Sequence, residues 1–199
     1  MTDAATRFDE GYYRRYYEDS GTAVHDASKI AHLARGITEM VAWFGGSIES
    51  VLDVGAGAGL WRDWFAANYP KVKYRSTEVS AYACEKYGHE QRDISAWRAR
   101  ERFDLIICQG VLQYIPSPAC DAAIANLGVM ARGFVYLEAI TKKDFEETCD
   151  QEKTDGAVHL RSAAWYRARL SKEFITVGCG LYYSKRGSLQ FYELERGGA

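Results

Sequence analysis

The ten residues at 51–60, VLDVGAGAGL, constrain the fold of this chain more than any other stretch. A short run, apolar except for one acid, leads into the alternating glycines Gly55, Gly57 and Gly59. A run of that length bounded by turn residues suits a strand buried in a parallel sheet. Glycine tolerates positive φ and carries no Cβ, so a ligand can approach the backbone closely at such a turn. The helix-forming run at 60–69 completes a strand, glycine turn and helix, the pattern of a nucleotide-binding βα unit.

The remaining chain repeats this alternation. Ile30, Leu33, Ala34, Ile37, Met40, Val41 and Phe44 recur at three and four, which predicts an amphipathic helix ended by Gly45-Gly46. Strands are expected at 51–54, at 72–77 with Glu78 at the end, at 91–94, 103–108 and 133–138. Helices fall between them, one stopping at Gly88, a brief one at 96–101, and one entered through Pro116 and Pro118. Residues 141–156 read as a polar loop with a short helix at 144–148, followed by a helix at 161–170. Strands at 174–183 and 188–194, joined near 185–187, form an antiparallel pair because their connection is too short for a crossover. The fold class is therefore α/β, a doubly wound, mostly parallel sheet with an antiparallel C-terminal hairpin. Ligands belong at the C-terminal ends of its strands.

With 199 residues the chain is expected to be one domain, 1–199, with 1–46 a helical cap and 141–161 a variable insertion on the substrate side. A net charge of −2 offers no bulk attraction for nucleic acid. Cys84, Cys108, Cys120, Cys149 and Cys179 are widely spaced with no C-x-x-C pair, which argues for reduced thiols and no metal site. No signal-peptide pattern and no apolar run near roughly 18 residues is present, so a cytoplasmic protein with no membrane partner is expected. Oligomeric state stays open.

The acids decide which nucleotide the glycine turn suits. A dinucleotide places a pyrophosphate against such a turn. Asp53 would set a carboxylate beside that anion, which disfavours NAD and suits the cationic methionyl end of S-adenosylmethionine. Glu78, about 20 residues beyond the glycines, sits where an acid accepts hydrogen bonds from two ribose hydroxyls, a role common to both cofactors. Val79 would lie beside the adenine. Asp93 can accept from the adenine amino group while the Ile94 amide donates to the ring.

Together, VLDVGAGAGL, the acid of STEVS, the RDI segment and FDLIICQGVLQYIP resemble the class I S-adenosylmethionine-dependent methyltransferases over about residues 51–138. The family's acid followed by G-x-G-x-G is met by Asp53, Gly55, Ala56, Gly57 and Gly59. The resemblance implies a seven-stranded Rossmann-like sheet, Glu78 on the ribose, and Asp93 with Ile94 on the adenine. It also implies that Gln109, Gly110 and Val111 flank the methionyl part and the transferred methyl. Gln113 and Tyr114 stand where related sequences carry an acid and a histidine, which argues against histidine-assisted chemistry from that loop.

Methyl transfer from a sulfonium already has a good leaving group, so alignment alone can supply ~7–11 kcal/mol of barrier reduction. The segment after the fourth strand lacks the Asn/Asp-Pro-Pro-aromatic pattern of enzymes that methylate exocyclic or amide nitrogens. A small-molecule acceptor is therefore expected. Tyr12, Tyr13, Tyr16 and Tyr17 form two i,i+4 pairs on a helix, either docking the segment or lining a pocket for an aromatic or cationic acceptor; Tyr114 joins them as a pocket candidate. Catalytic candidates are Glu138, His159 and Tyr13, while His25 and His32 read as capping or helix-surface residues. Arg98, Arg100 and Arg102 read as a solvated helix face. Two other functions compete: a regulatory S-adenosylmethionine-binding domain without turnover, and an NAD-dependent oxidoreductase. Tyr82 and Lys86 match the Tyr-x-x-x-Lys pair of the latter, but fall too early in the chain.

Overall fold

A computed structural model describes residues 7–19 and 26–197. Its centre is a seven-stranded sheet in the order β3-β2-β1-β4-β5-β7-β6. The strands are β1 (Ser50–Val54), β2 (Lys73–Glu78), β3 (Glu90–Gln91), β4 (Phe103–Gln109), β5 (Ala131–Glu138), β6 (Phe174–Gly178) and β7 (Leu181–Ser184). Only β7 runs against its neighbours, pairing antiparallel with both β5 and β6.

The two-sided burial of the parallel strands follows from helices on both faces. On one face Leu52, Ile106 and Val135 pack with Ile124, Leu127 and Leu170 from α5 (Ser117–Met130) and α7 (Ala163–Glu173). On the other, Val51, Leu105 and Phe134 meet Ile30, Ile37, Trp61 and Phe65 from α2 (Ala27–Trp43) and α3 (Leu60–Asn68). The helix expected from the Ile30-to-Phe44 periodicity is present, capped by the Asp26 carboxylate, which accepts from Lys29 N at 2.8 Å. It stops where Gly45 takes φ +79° and the Gly46 amide reaches back to the Val41 carbonyl at 2.9 Å.

Three local expectations differ from the structure. The third strand covers Glu90–Gln91 rather than 91–94. Asp93 leaves the sheet because its Oδ1 accepts from both Ser95 N (2.9 Å) and Ser95 Oγ (2.7 Å), a side-chain turn that competes with the ladder. Residues 96–101 form no helix; they are tied to α5 instead, through Ala99 N on Met130 Sδ and Asn126 Nδ2 on the preceding Ile94 carbonyl. Arg98, Arg100 and Arg102 are exposed on irregular backbone. The closing hairpin turns at Cys179-Gly180, both at positive φ (50° and 77°), and not at 185–187. Two consecutive residues at positive φ suit a tight hairpin turn, yet the apolar residues around them read as one strand. Residues 188–194 do not pair; Phe191 instead packs against Phe44 and Phe134. Among the described residues no helix is long and apolar enough to cross a membrane.

Two segments outside the sheet bear on its C-terminal edge. The first is α1 (Glu10–Tyr13), continued by a π-helical turn over Arg14–Glu18. The second runs from α6 (Lys142–Glu147), with Thr141 and Asp144 forming a capping box, to Arg161 ahead of α7.

Candidate functional site

The glycine turn is held from below. Gly55 N and Ala56 N both donate to the Thr77 carbonyl, at 2.8 and 3.0 Å, which fastens the end of β1 to β2. Gly55, Gly57 and Gly59 take φ of +71°, +55° and +80°. A Cβ on Gly55 would lie 2.3 Å from Val111 Cγ2, so the approach of two loops adds a steric demand to the conformational one. The buried His89 ring supports the turn, with Nδ1 2.9 Å from Ser76 Oγ and Nε2 3.1 Å from the Gly57 carbonyl. A carbonyl only accepts, so Nε2 carries the proton. Burial lowers the imidazole pKa and keeps the ring neutral. No sequence pattern singles His89 out; a histidine before a short strand carries no signal of its own.

The acids occupy different settings. Glu78 is buried: its Oε1 accepts from Val79 N (2.7 Å) and Ser80 N (3.0 Å), and its Oε2 from Gly57 N (3.1 Å). The Tyr13 phenol lies beside this carboxylate. Burial raises the Glu78 pKa against the pull of the three amides. Asp53 lies behind the turn, accepting from the Tyr74 hydroxyl at 2.8 Å. Burial pushes its carboxyl up to about 7; the Tyr74 bond opposes this and the neighbouring Glu78 charge adds to it. Asp93 and Ile94 stand on the cleft wall beyond β3.

These elements open into a cavity of about 470 Å³ over the strand ends. One wall carries Gly55, Glu78, Val79, Asp93 and Ile94, then Gln109, Gly110 and Val111 after β4. Across from it stand Tyr12, Tyr13, Tyr17, Tyr114 and His159. Asp53, Ala56, Gly57, Gly59, Tyr16 and Glu138 do not line it. Glu138 lies close by, accepting from Tyr136 OH (3.0 Å) and Gln109 Nε2 (3.4 Å), while the Trp61 indole donates to Gln109 Oε1 at 2.8 Å. Gln109 is thus locked between two partners at the cavity wall.

The tyrosine pairs form as the spacing predicts: ring centroids are 4.8 Å apart for Tyr12 and Tyr16, and 4.9 Å for the stacked Tyr13 and Tyr17. Tyr17 covers the glycine turn, its ring 3.1 Å from where a Gly57 Cβ would stand. Tyr12 and Tyr114 share a hydrogen bond between hydroxyls at 3.0 Å. Residues not singled out in the sequence complete the far side. Arg7 pairs with Asp155 at 2.6 Å, joining the N-terminal segment to the 141–161 segment. The buried Arg161 holds the loop after β4 through the carbonyls of Leu112 (3.0 Å) and Ile115 and the hydroxyl of Ser117 (3.1 Å). His32 is exposed on α2, and His25 lies outside the described residues.

A family model described as a methyltransferase domain matches residues 24–180. The fold is similar to a magnesium protoporphyrin IX methyltransferase from Synechocystis PCC 6803, with 16% identity over 90% of this chain and 94% of that one and a TM-score of 0.58. It is also similar to the N-methyltransferase NodS from Bradyrhizobium japonicum WM9 (15%, 93% and 94%, TM-score 0.57). A third likeness is to an S-adenosylmethionine-dependent methyltransferase from Clostridium acetobutylicum ATCC 824 (14%, 92% and 99%, TM-score 0.62). Identities of this size speak to the fold alone. No curated protein matches the sequence.

Proposed function

The chain belongs to the methyltransferase-domain family, and from that premise we propose that it moves a methyl group from S-adenosylmethionine to a small-molecule acceptor. The observation that carries this reading is the single cavity shared by the glycine turn, Glu78, Asp93 and the loop after β4. When bound, S-adenosylmethionine supplies an electrophilic methyl group for in-line displacement, with a neutral thioether as leaving group.

The residues present fit this cofactor. The cavity has the size of a nucleoside ligand, and the turn carries no side chain where a backbone approach is needed. Glu78 is a buried acceptor oriented by three amides, and ribose hydroxyls would reach it beside the Tyr13 phenol. Val79 offers apolar surface for the adenine, with Asp93 and Ile94 as its hydrogen-bonding edge. Gln109, Gly110 and Val111 would bound the methionyl part. Asp53, set behind the turn, acts on the cationic donor through its field rather than by direct contact.

On the acceptor side the tyrosines exclude water and orient the substrate. Burial raises the Tyr12 and Tyr13 pKa values, so both phenols remain protonated donors, and Tyr13 is not a base. Glu138 does not line the cavity and accepts from Tyr136 and Gln109. His159, on the cavity wall with its amide fixed on the Gln113 carbonyl at 2.8 Å, would take a proton from the acceptor where one must be lost. Residues 141–161 and the N-terminal segment act as the substrate-side cover of one domain.

Calorimetry with S-adenosylmethionine, S-adenosylhomocysteine and NAD tests the donor, and a metabolite screen for methylated products tests turnover. Affinity for NAD with none for the adenosyl ligands would overturn the reading.

A further inference from the structure

The Arg7 guanidinium sits in a box made by its own protein. Its Cζ is 5.3 Å from the centroid of Phe8 and 5.1 Å from that of Tyr114, both within cation–π range. The two rings stand 5.1 Å apart at 81°, forming adjacent walls. Asp155 closes the third side, with Oδ2 2.6 Å from Arg7 Nη2. Each wall is fixed independently of the arginine. Asp155 Oδ1 accepts from Ala157 N at 2.9 Å, Tyr114 is tied to Tyr12 through their hydroxyls, and Phe8 packs edge-on to Tyr12 at 4.8 Å. Arg7, Phe8 and Tyr114 all line the main cavity.

We propose that this box is the anchoring subsite for a positively charged group of the methyl acceptor, an ammonium or guanidinium, and that Arg7 fills it until the acceptor arrives. Two aromatic faces and an oriented carboxylate attract a cation and repel an anion. Asp155 is better shielded than the cation it holds, its side chain 11% exposed against 33% for Arg7. Left unpaired, a shielded carboxylate is costly, which explains why the resting protein keeps its own cation there. A partly exposed ion pair is held weakly, so a cationic ligand can displace Arg7 and inherit its partners. The anchored group is distinct from the nucleophile, because a protonated nitrogen has no lone pair with which to attack the methyl group.

This subsite deepens the methyltransferase reading and rests on it. The test uses the full chain saturated with S-adenosylhomocysteine, with methylguanidinium and acetate titrated by NMR. The affinity of each variant for S-adenosylhomocysteine is measured first. In Arg7→Ala methylguanidinium is expected to bind about five- to tenfold tighter than in the parent, the scale of one vacated cation–π and ion-pair site. Adding Asp155→Asn should abolish that gain, and acetate should bind neither protein. Equal methylguanidinium affinity in the parent and Arg7→Ala, with S-adenosylhomocysteine binding intact, would overturn the cation subsite and leave the donor assignment standing. Acetate binding in the parent that is lost in Arg7→Ala would overturn it in favour of an anion anchor. A parent that binds no S-adenosylhomocysteine overturns both readings together.

Discussion

The two walls of the cavity are built in different ways. The strand-end wall is made of backbone: Gly55 and Ala56 are pinned to Thr77, and Glu78 is oriented by the amides of Gly57, Val79 and Ser80. The opposite wall is made of side chains from segments far apart in sequence, Arg7 with Asp155 and Tyr12 with Tyr114. A backbone-built wall tolerates little change and suits a ligand that is always the same. A wall of side chains can be re-lined without disturbing the sheet, which suits a ligand that differs between relatives. Substitutions on the first wall should therefore cost far more donor affinity than substitutions on the second.

The largest effect is expected at Gly57. Valine there would meet both a backbone at φ +55° and the Tyr17 ring, so Gly57→Val should leave no measurable S-adenosylmethionine binding by calorimetry. Near-parental affinity would mean that the glycine turn is not part of the donor site. Glu78→Gln is the next test. It keeps an amide oxygen for Val79 and Ser80 but turns an NH2 towards the Gly57 amide and removes the charge; hydrogen bonds to charged groups contribute roughly 1.5–3 kcal/mol, so affinity should fall by about 10- to 100-fold. Glu78→Arg would be a poorer probe, because a cation facing three amide donors at a buried position would disrupt the turn itself.

How much of each wall was legible in the sequence follows the same division. Gly55, Glu78 and Val111 are readable because each falls at or just beyond a strand end, and strand ends show in the apolar runs. The third strand stops short of Asp93, where the sequence predicts it to continue, because that side chain turns the backbone through Ser95, a local bond that competes with pairing. The hairpin turn is hidden in the sequence because Cys179-Gly180 interrupts an apolar run without any of the usual turn dipeptides. Tyr12 and Tyr13 were legible as a stripe, but Arg7, Phe8 and Asp155 were not. Their meeting depends on where two segments 148 residues apart come to rest, and no periodicity encodes that.

A smaller effect should come from pH, through Asp53. Its folded pKa of about 7 stands above the ordinary aspartate value near 3.9. Between those values the folded state holds a proton that the unfolded state has lost, so this group's contribution to stability falls as pH rises from about 4 through 7. Donor binding should run the other way. A sulfonium and ammonium favour the ionised carboxylate, so affinity should rise about tenfold from pH 6 to 7.5. Asp53→Asn should flatten both profiles. A pH-independent donor affinity in the parent protein would mean that Asp53 does not sense the donor, and its role would reduce to the bond with Tyr74.

The smallest effect tests the boundary between the walls, where Tyr13 reaches across to Glu78. The resting carboxylate accepts from three amides and has the Tyr13 phenol beside it. Ribose hydroxyls reaching Glu78 would compete with that phenol, while the Tyr13 ring stays stacked on Tyr17. Tyr13→Phe removes the competing donor and keeps the stack, so S-adenosylmethionine should bind a few-fold tighter, in line with a net hydrogen-bond contribution of about 0.5–1.5 kcal/mol. The sign of this change is the informative part. Tighter binding means that the aromatic segment gives up a contact when the donor enters and holds the empty site closed. Weaker binding means that the phenol contacts the donor itself, which would make Tyr13 part of the donor wall and shift the boundary between the backbone-built and side-chain-built surfaces towards the N-terminus.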